Sequence, residues 1–314
     1  MKNLTQYLGI LLGVIYGLLF RFLGDKEIAH EMFSINSICF IWILPIIISV
    51  FPIIITSNEI YKSAIKQFFY PIITILVFFI SLLITRLEDL FCILIISIPY
   101  IFTAGLVGLL FGIFVKRRIK NKKLYSILIL PILLNPIENI FPNQVNHYQV
   151  SSEIIIERSN HDIFPNILSV PSISNEEYEE GFYQYIGIPR PLNSYFYENG
   201  PNSFRKGYFT NNLILHEYIT DIRQNEYVNF KIDISKSQLR DTPTDQHILK
   251  SNNFTFDNIN YTLIPISKEA TKVILNCDYT ISSKMNSYAN FWAENVIQDF
   301  EIRLLKSLKL ILEK

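Results

Sequence analysis

The chain has 314 residues, 50% of them hydrophobic, with 28 basic and 28 acidic side chains and three cysteines. A zero net charge excludes a chain-wide basic surface for nucleic acid. Three scattered cysteines exclude a disulfide framework and any zinc-ligand spacing. The neutrality hides an asymmetry: residues 1–144 carry about five more basic than acidic side chains and residues 145–314 about five fewer.

The first part is built of apolar runs. A bilayer core takes about 20 apolar residues as a helix. Tyr7–Leu23, Ile35–Thr56, Phe68–Thr85 and Leu90–Val115 meet or approach that length. Pro45, Pro52, Pro71 and Pro99 fall in or at the ends of these runs, which spanning helices tolerate where neighbours re-satisfy the freed backbone groups. The first run follows Lys2 and lacks a small-x-small cleavage site before Asp25, so it reads as a retained span. A fifth stretch, Leu124–Phe141, is apolar at first and then meets Asn135, Pro136 and Glu138. It either spans or lies in the interface, and spanning is the preferred reading.

The block Lys116-Arg117-Arg118-Ile119-Lys120-Asn121-Lys122-Lys123 sets the orientation. Positive residues stay on the cytoplasmic side. Placing this block, Lys2, Lys62 and Lys66 there leaves Arg21, Lys26 and Arg86 opposite, among Asp25, Glu27, Glu31, Glu88 and Asp89. The N-terminus is then cytoplasmic. If the fifth stretch spans, the remainder of the chain is extracytoplasmic, at a bacterial inner (plasma) membrane; if it does not, the remainder is cytoplasmic. No ionisable residue sits mid-span, which argues against a transport path. Gly9, Gly13 and Gly17, and Gly105 with Gly108, allow close helix packing within one chain or between copies in a homo-oligomer.

From Gln149 the pattern becomes that of a folded polar domain. Residues 150–158 read as a strand, and Asn160–Leu168 as a short helix capped from Ser159 or Asn160. Ser174 with Glu177 suggests a capping box and a second short helix. Strands are expected over Leu192–Glu198, Phe204–Thr210, Leu213–Asp221 and Glu226–Ile234. In the last of these Val228, Phe230, Ile232 and Ile234 share a face. Ser235–Asn252 reads as a loop, and Phe254–Phe256 with Asn260–Ile266 as a hairpin about Asp257-Asn258. Lys272–Ser282 alternates, with Val273, Leu275, Cys277, Tyr279 and Ile281 together. A long helix over Asn286–Leu312 carries the stripe Ala293, Ile297, Phe300, Leu304, Leu308 and Ile311. That stripe must be buried on the sheet.

The order of strand, two short helices, about six strands and one long helix resembles the START-like (SRPBCC) superfamily, in its polyketide cyclase/dehydrase branch. The resemblance covers about residues 149–314. It rests on Val150–Ile156, on Gly200-Pro201-Asn202-Ser203-Phe204-Arg205-Lys206-Gly207, on Glu217-Tyr218-Ile219-Thr220, on Asn225-Glu226-Tyr227-Val228-Asn229-Phe230, on the strand from Thr271 to Tyr279, and on the aromatic opening of the last helix at Tyr288, Phe291 and Trp292. The family's usual Gly-x-Gly before the Arg is Gly200-Pro201-Asn202 here, and Phe164 stands where the first short helix often has Trp.

The fold class so implied is an α-helical transmembrane region with four to five helices (residues 1–144) joined to an α+β helix-grip domain (residues 149–314). In such a domain an antiparallel sheet wraps a long C-terminal helix and encloses a cavity. The resemblance implies a lipid or other hydrophobic small molecule as ligand. Arg205, Glu217, Tyr218, Tyr279, Phe291 and Trp292 are the candidate ligand-binding residues. Arg205 and Glu217 are expected on neighbouring strands, where they pair with each other or anchor a polar ligand group.

No catalytic residue, metal site or cofactor is indicated. His30, His147, His161, His216 and His247 have no metal-ligand spacing. His216 points to the opposite face from Glu217. Gly-x-Ser-x-Gly, P-loop and Rossmann patterns are absent, and the Asn-x-Thr matches at Asn253 and Asn260 fall on expected strands. Three readings remain. The first is a membrane-anchored hydrophobic-ligand module, with the bilayer and a small molecule as partners and no nucleic acid. The second is a sensor or assembly protein whose domain binds another protein. The third is a cyclase- or dehydrase-type enzyme, which needs a polar cavity residue of shifted pKa.

Overall fold

The computed structural model describes residues 2–24, 37–55, 63–118, 133–134, 137–138 and 140–314. It forms two compact units, Met1–Asn143 and Gln144–Lys314. The basic residues beyond Arg118, residues 25–36 and 56–62, and most of the Leu124–Phe141 stretch lie outside the described residues.

The first unit is helical: α1 (Lys2–Gly24), a π-helical turn Cys39–Ile43 running into α2 (Leu44–Ile55), α3 (Ala64–Ile84) and α4 (Leu90–Arg118). Ala64–Ile84 and Leu90–Phe111 are long and apolar enough to cross a membrane; Tyr7–Leu23 and Cys39–Ile55 are apolar but shorter. Four to five spans are expected from sequence, and two helices of full length are found among the described residues. The ends of Ile35–Thr56 lie outside them.

Close approach explains the glycine spacing. A Cβ on Gly13 would stand 2.8 Å from the Ile48 carbonyl oxygen of α2, and one on Gly108 would collide with the Gln67 carbonyl oxygen of α3. These glycines are used between helices of one chain. Phe40, Phe78 and Tyr100 fill the centre, and the Tyr100 hydroxyl donates to the Phe40 carbonyl at 2.8 Å. Arg21, in the last turn of α1, meets Glu88 in the α3–α4 turn at 2.5 Å, both buried.

The second unit is one seven-stranded antiparallel sheet in the order β1-β7-β6-β5-β4-β3-β2. The strands are β1 (Gln144–Ile156), β2 (Pro191–Tyr197), β3 (Phe204–Phe209), β4 (Ile214–Arg223), β5 (Tyr227–Ile232), β6 (Phe254–Pro265) and β7 (Thr271–Ser283). Between β1 and β2 come α5 (Asn160–Leu168) and the single turn α6 (Phe182–Tyr185); α7 (Asn286–Leu312) closes the chain. β7 alternates strictly between buried and half-buried residues. Its buried row faces α7, whose Ile297, Leu304, Leu305 and Leu308 join the core with Ile163, Phe164 and Ile167 of α5. An antiparallel sheet gripping a long helix is the expected helix-grip arrangement.

Three local expectations are corrected. The Ser174 N–H does meet the Glu177 carboxylate at 2.8 Å, but the chain makes only a turn there, and the short helix lies at Phe182–Tyr185. A capping contact without a following apolar face to bury does not propagate a helix. The supposed hairpin about Asp257-Asn258 is one continuous strand, β6, whose bulge between Phe256 and Asn258 absorbs the turn-like residues. The polar loop after β5 holds a 3-10 turn at Ile234–Lys236 and a π-helical turn at Asp245–Leu249, pinned by the buried Arg240–Asp245 pair at 2.6 Å.

Candidate ligand site

The sheet parts between β5 and β6. The two strands pair only over Tyr227–Phe230 and Ile259–Thr262. Yet β5 continues to Ile232, paired there with Glu217 of β4, and β6 begins at Phe254, paired with Ile281 of β7. The space between holds a cleft of about 460 Å³. Ile232, Ile234, Leu249, Phe254 and Phe256 supply its apolar lining; Tyr218, Lys231, Asp233, Ser235, Lys250, Ser251, Asn252 and Thr255 supply its polar lining. The volume lies within the range of small-molecule sites.

The apolar wall continues into the core. Phe254 packs edge-on against Phe256 at 4.9 Å and stacks on Tyr279 at 5.6 Å. The Tyr279 hydroxyl donates to Asn290 of α7 at 2.9 Å. Tyr218 accepts from the Lys236 ammonium, which also lies over its ring at 4.9 Å. Asp233 is tied to the Ser235 N–H and hydroxyl, and those hydrogen bonds hold its carboxyl below the usual aspartate range.

Arg205 and Glu217 are cross-strand partners of β3 and β4, both buried, with the guanidinium donating to the carboxylate. Arg205 also donates to the Ile167 carbonyl at 2.7 Å and lies 3.8 Å from the Phe230 ring centroid. The bond to Ile167 ties α5 to the sheet. His216 points the other way, stacked on Phe204 at 4.5 Å. Burial, with help from the Lys236 charge, lowers its pKa, so the imidazole is neutral at neutral pH.

Of the six expected ligand residues, Tyr218 lines the cleft and Tyr279 stands behind Phe254. Arg205 and Glu217 are brought together in the interior and do not line the cleft. Trp292 is buried on α7, whereas Phe291 is 54% exposed and does not join the interior. For the cleft-lining Phe254 and Phe256 the sequence offers only their alternation along a strand.

One interior group was not singled out. Glu301 is 1% exposed on the sheet-facing side of α7, and neither carboxylate oxygen makes a hydrogen bond. The step Ile297, Glu301, Leu304, Leu308 places it squarely on the apolar stripe. Burial raises its pKa to about 7; the Ser152 hydroxyl of β1 offsets part of that without forming a well-aligned hydrogen bond. The same burial pushes the Cys277 thiol up, so it is no thiolate nucleophile at neutral pH. Among the described residues no cluster of His, Cys, Asp and Glu is placed to hold a metal ion.

No family model matches the chain, and no curated protein matches it. Solved structures that align with it include the Zhui aromatase/cyclase of Streptomyces sp. R1128, at 9% identity over 54% of this chain and 94% of that chain, with a TM-score of 0.35. A norcoclaurine synthase point mutant of Thalictrum flavum, bound to a transition-state analogue, aligns at 8% identity over 54% and 96% of the two chains, with a TM-score of 0.34. A conserved protein of unknown function from Enterococcus faecalis aligns at 13% over 54% and 72%, with a TM-score of 0.28. At such identities and scores the sheet order and the seated helix remain the ground for the fold.

Proposed function

We propose that this chain is a membrane-anchored, START-like binding protein whose second unit holds an apolar or amphipathic small molecule. The observation that carries the reading is the aromatic-walled cleft where β5 and β6 part, open at the surface and continuous with the core through Phe254 and Tyr279. The anchor reading is supported by the first unit's outer face. Leu11, Ile15, Leu19, Phe69, Ile73, Ile80, Phe102 and Leu106 are all exposed on helices that also bury apolar faces. Helices apolar all round suit a lipid solvent. The N-terminus is assigned to the cytoplasmic side by the positive residues.

Glu301 gives the enzyme reading its one specific support, since a carboxyl of pKa about 7 can exchange protons at neutral pH. It does not line the cleft, so a molecule bound there does not meet it, and binding without turnover is the better reading. The test is solvent extraction of the purified full chain followed by mass spectrometry. A stoichiometric compound is expected from the wild type and not from Thr255→Trp, which fills the cleft from an exposed position. Wild-type protein that is clean, and takes up nothing from a lipid extract, would overturn the reading in favour of a protein-binding domain.

A further inference from the structure

We propose that the β5–β6 cleft selects an anionic amphiphile: an apolar chain or ring system ending in a carboxylate or phosphate, drawn from lipid or from free acid. This rests on the binding function proposed above and names the ligand class for it. The apolar lining, Phe254, Phe256 and Ile232, lies on the sheet face that carries the core, since their strand partners Ile281, Tyr279 and Glu217 are buried. The charged lining lies at the exposed rim. Lys231 and Lys250 line the opening with exposed side chains, and Lys236 stands beside Tyr218. Against these three ammonium groups the rim has one carboxylate, Asp233, which is already engaged by Ser235.

The two lysines that line the cleft are not equivalent to scattered surface charge. They sit on opposite sides of the opening, Lys231 near the end of β5 and Lys250 just before β6. An anionic head between them gains from both, while its apolar part replaces water over Phe254 and Phe256. A cationic head meets two like charges against the single Asp233 carboxylate. Neutral donors at the same rim, Ser251, Asn252 and Thr255, serve a phosphate or carboxylate oxygen equally well.

The experiment uses the full chain in membranes and two photoreactive probes of the same length, a diazirine-tagged fatty acid and the matching alkylammonium. Cross-linked peptides are mapped by mass spectrometry. The fatty acid is expected to label the peptides spanning 231–235 and 249–256 about tenfold more than the amine, as two favourable charges replaced by two unfavourable ones imply. Lys231→Glu with Lys250→Glu should reverse that order, and both positions are exposed, so the variant folds. A diazirine-tagged phosphatidic acid in a third arm separates lipid from free acid as the source. Equal labelling by both charges, unchanged in the double variant, would overturn charge selection and leave the binding function standing. No labelling of these peptides by any probe would overturn both.

Discussion

A carboxyl group among leucines is neutral because water, its best partner, is missing. Glu301 is such a group, and its ionisation is coupled to the packing of α7 on the sheet. Its folded pKa of about 7 lies above the ordinary 4.5. Between those values the folded chain holds a proton that the unfolded chain has released, so stability falls as pH rises. The loss begins near pH 4.5, is complete just above 7, and amounts to about 3 kcal/mol. Glu301→Gln keeps the shape without the charge. Hydrogen exchange of β7 amides should therefore slow in this variant at pH 8, and match the wild type near pH 4. A wild type and variant with identical pH dependence would remove Glu301 from the account.

Arg205 and Glu217 call for the opposite treatment. Each is buried and each has a partner. Removing one leaves an uncompensated charge, at a cost of about 3–5 kcal/mol, whereas replacing both with apolar residues of similar volume costs little. Glu217→Leu alone should expose β3 and β4 amides to exchange, and Arg205→Met with Glu217→Leu should restore most of their protection. The pairing was legible in the sequence because only a short turn, Asn211-Asn212, separates two strands of fixed register. Glu301 was missed because the helix stripe was read for its apolar members alone. A charged residue at a three- or four-residue step within such a stripe is itself a signal.

At the scale of elements, length and period decide what the sequence shows. β7 and α7 are long and strictly periodic, and their limits agree with the expected ones within a residue or two. The cleft was not legible, because it arises from where β5–β6 pairing stops, and no residue pattern marks that point. The glycines on α1 and α4 were recognised as packing positions, but their partners were open until the helices were placed. Their contacts differ in kind. Gly13 and Gly108 face backbone carbonyls, which cannot give way, while Gly17 faces the side-chain ends of Ile48 and Phe78. Overpacking of this sort costs about 1–3 kcal/mol. Gly13→Ala and Gly108→Ala should each lower the thermal midpoint of the detergent-solubilised chain clearly more than Gly17→Ala does. Equal effects at all three positions would mean that the helices approach less closely than described.

At the scale of the whole first unit, helix direction decides which described residues share an end. α1 runs against α2, since Gly9 lies beside Pro52 and Gly13 beside Ile48; α1 runs with α3, since Gly13 also lies beside Thr74 and Gly17 beside Phe78. The Arg21–Glu88 pair puts the end of α1 and the α3–α4 turn together. The start of the second helix lies at that same end, and there the Glu138 carboxylate accepts from the N–H groups of Ile38 and Cys39, at 2.7 and 2.9 Å. α4 runs back along α3 and ends at Arg118, at the opposite end, where Gly108 meets Gln67. Arg118 and Glu138 thus lie at opposite ends of the bundle. The cytoplasmic assignment of Lys2 and Lys66 proposed above carries with it the proposal that residues from Gln144 onward are extracytoplasmic. Alkaline phosphatase fused after Lys314 should be active, and a green fluorescent protein there should be dark, while the same fluorescent protein before Met1 should be bright. A bright C-terminal fusion would overturn the proposed orientation.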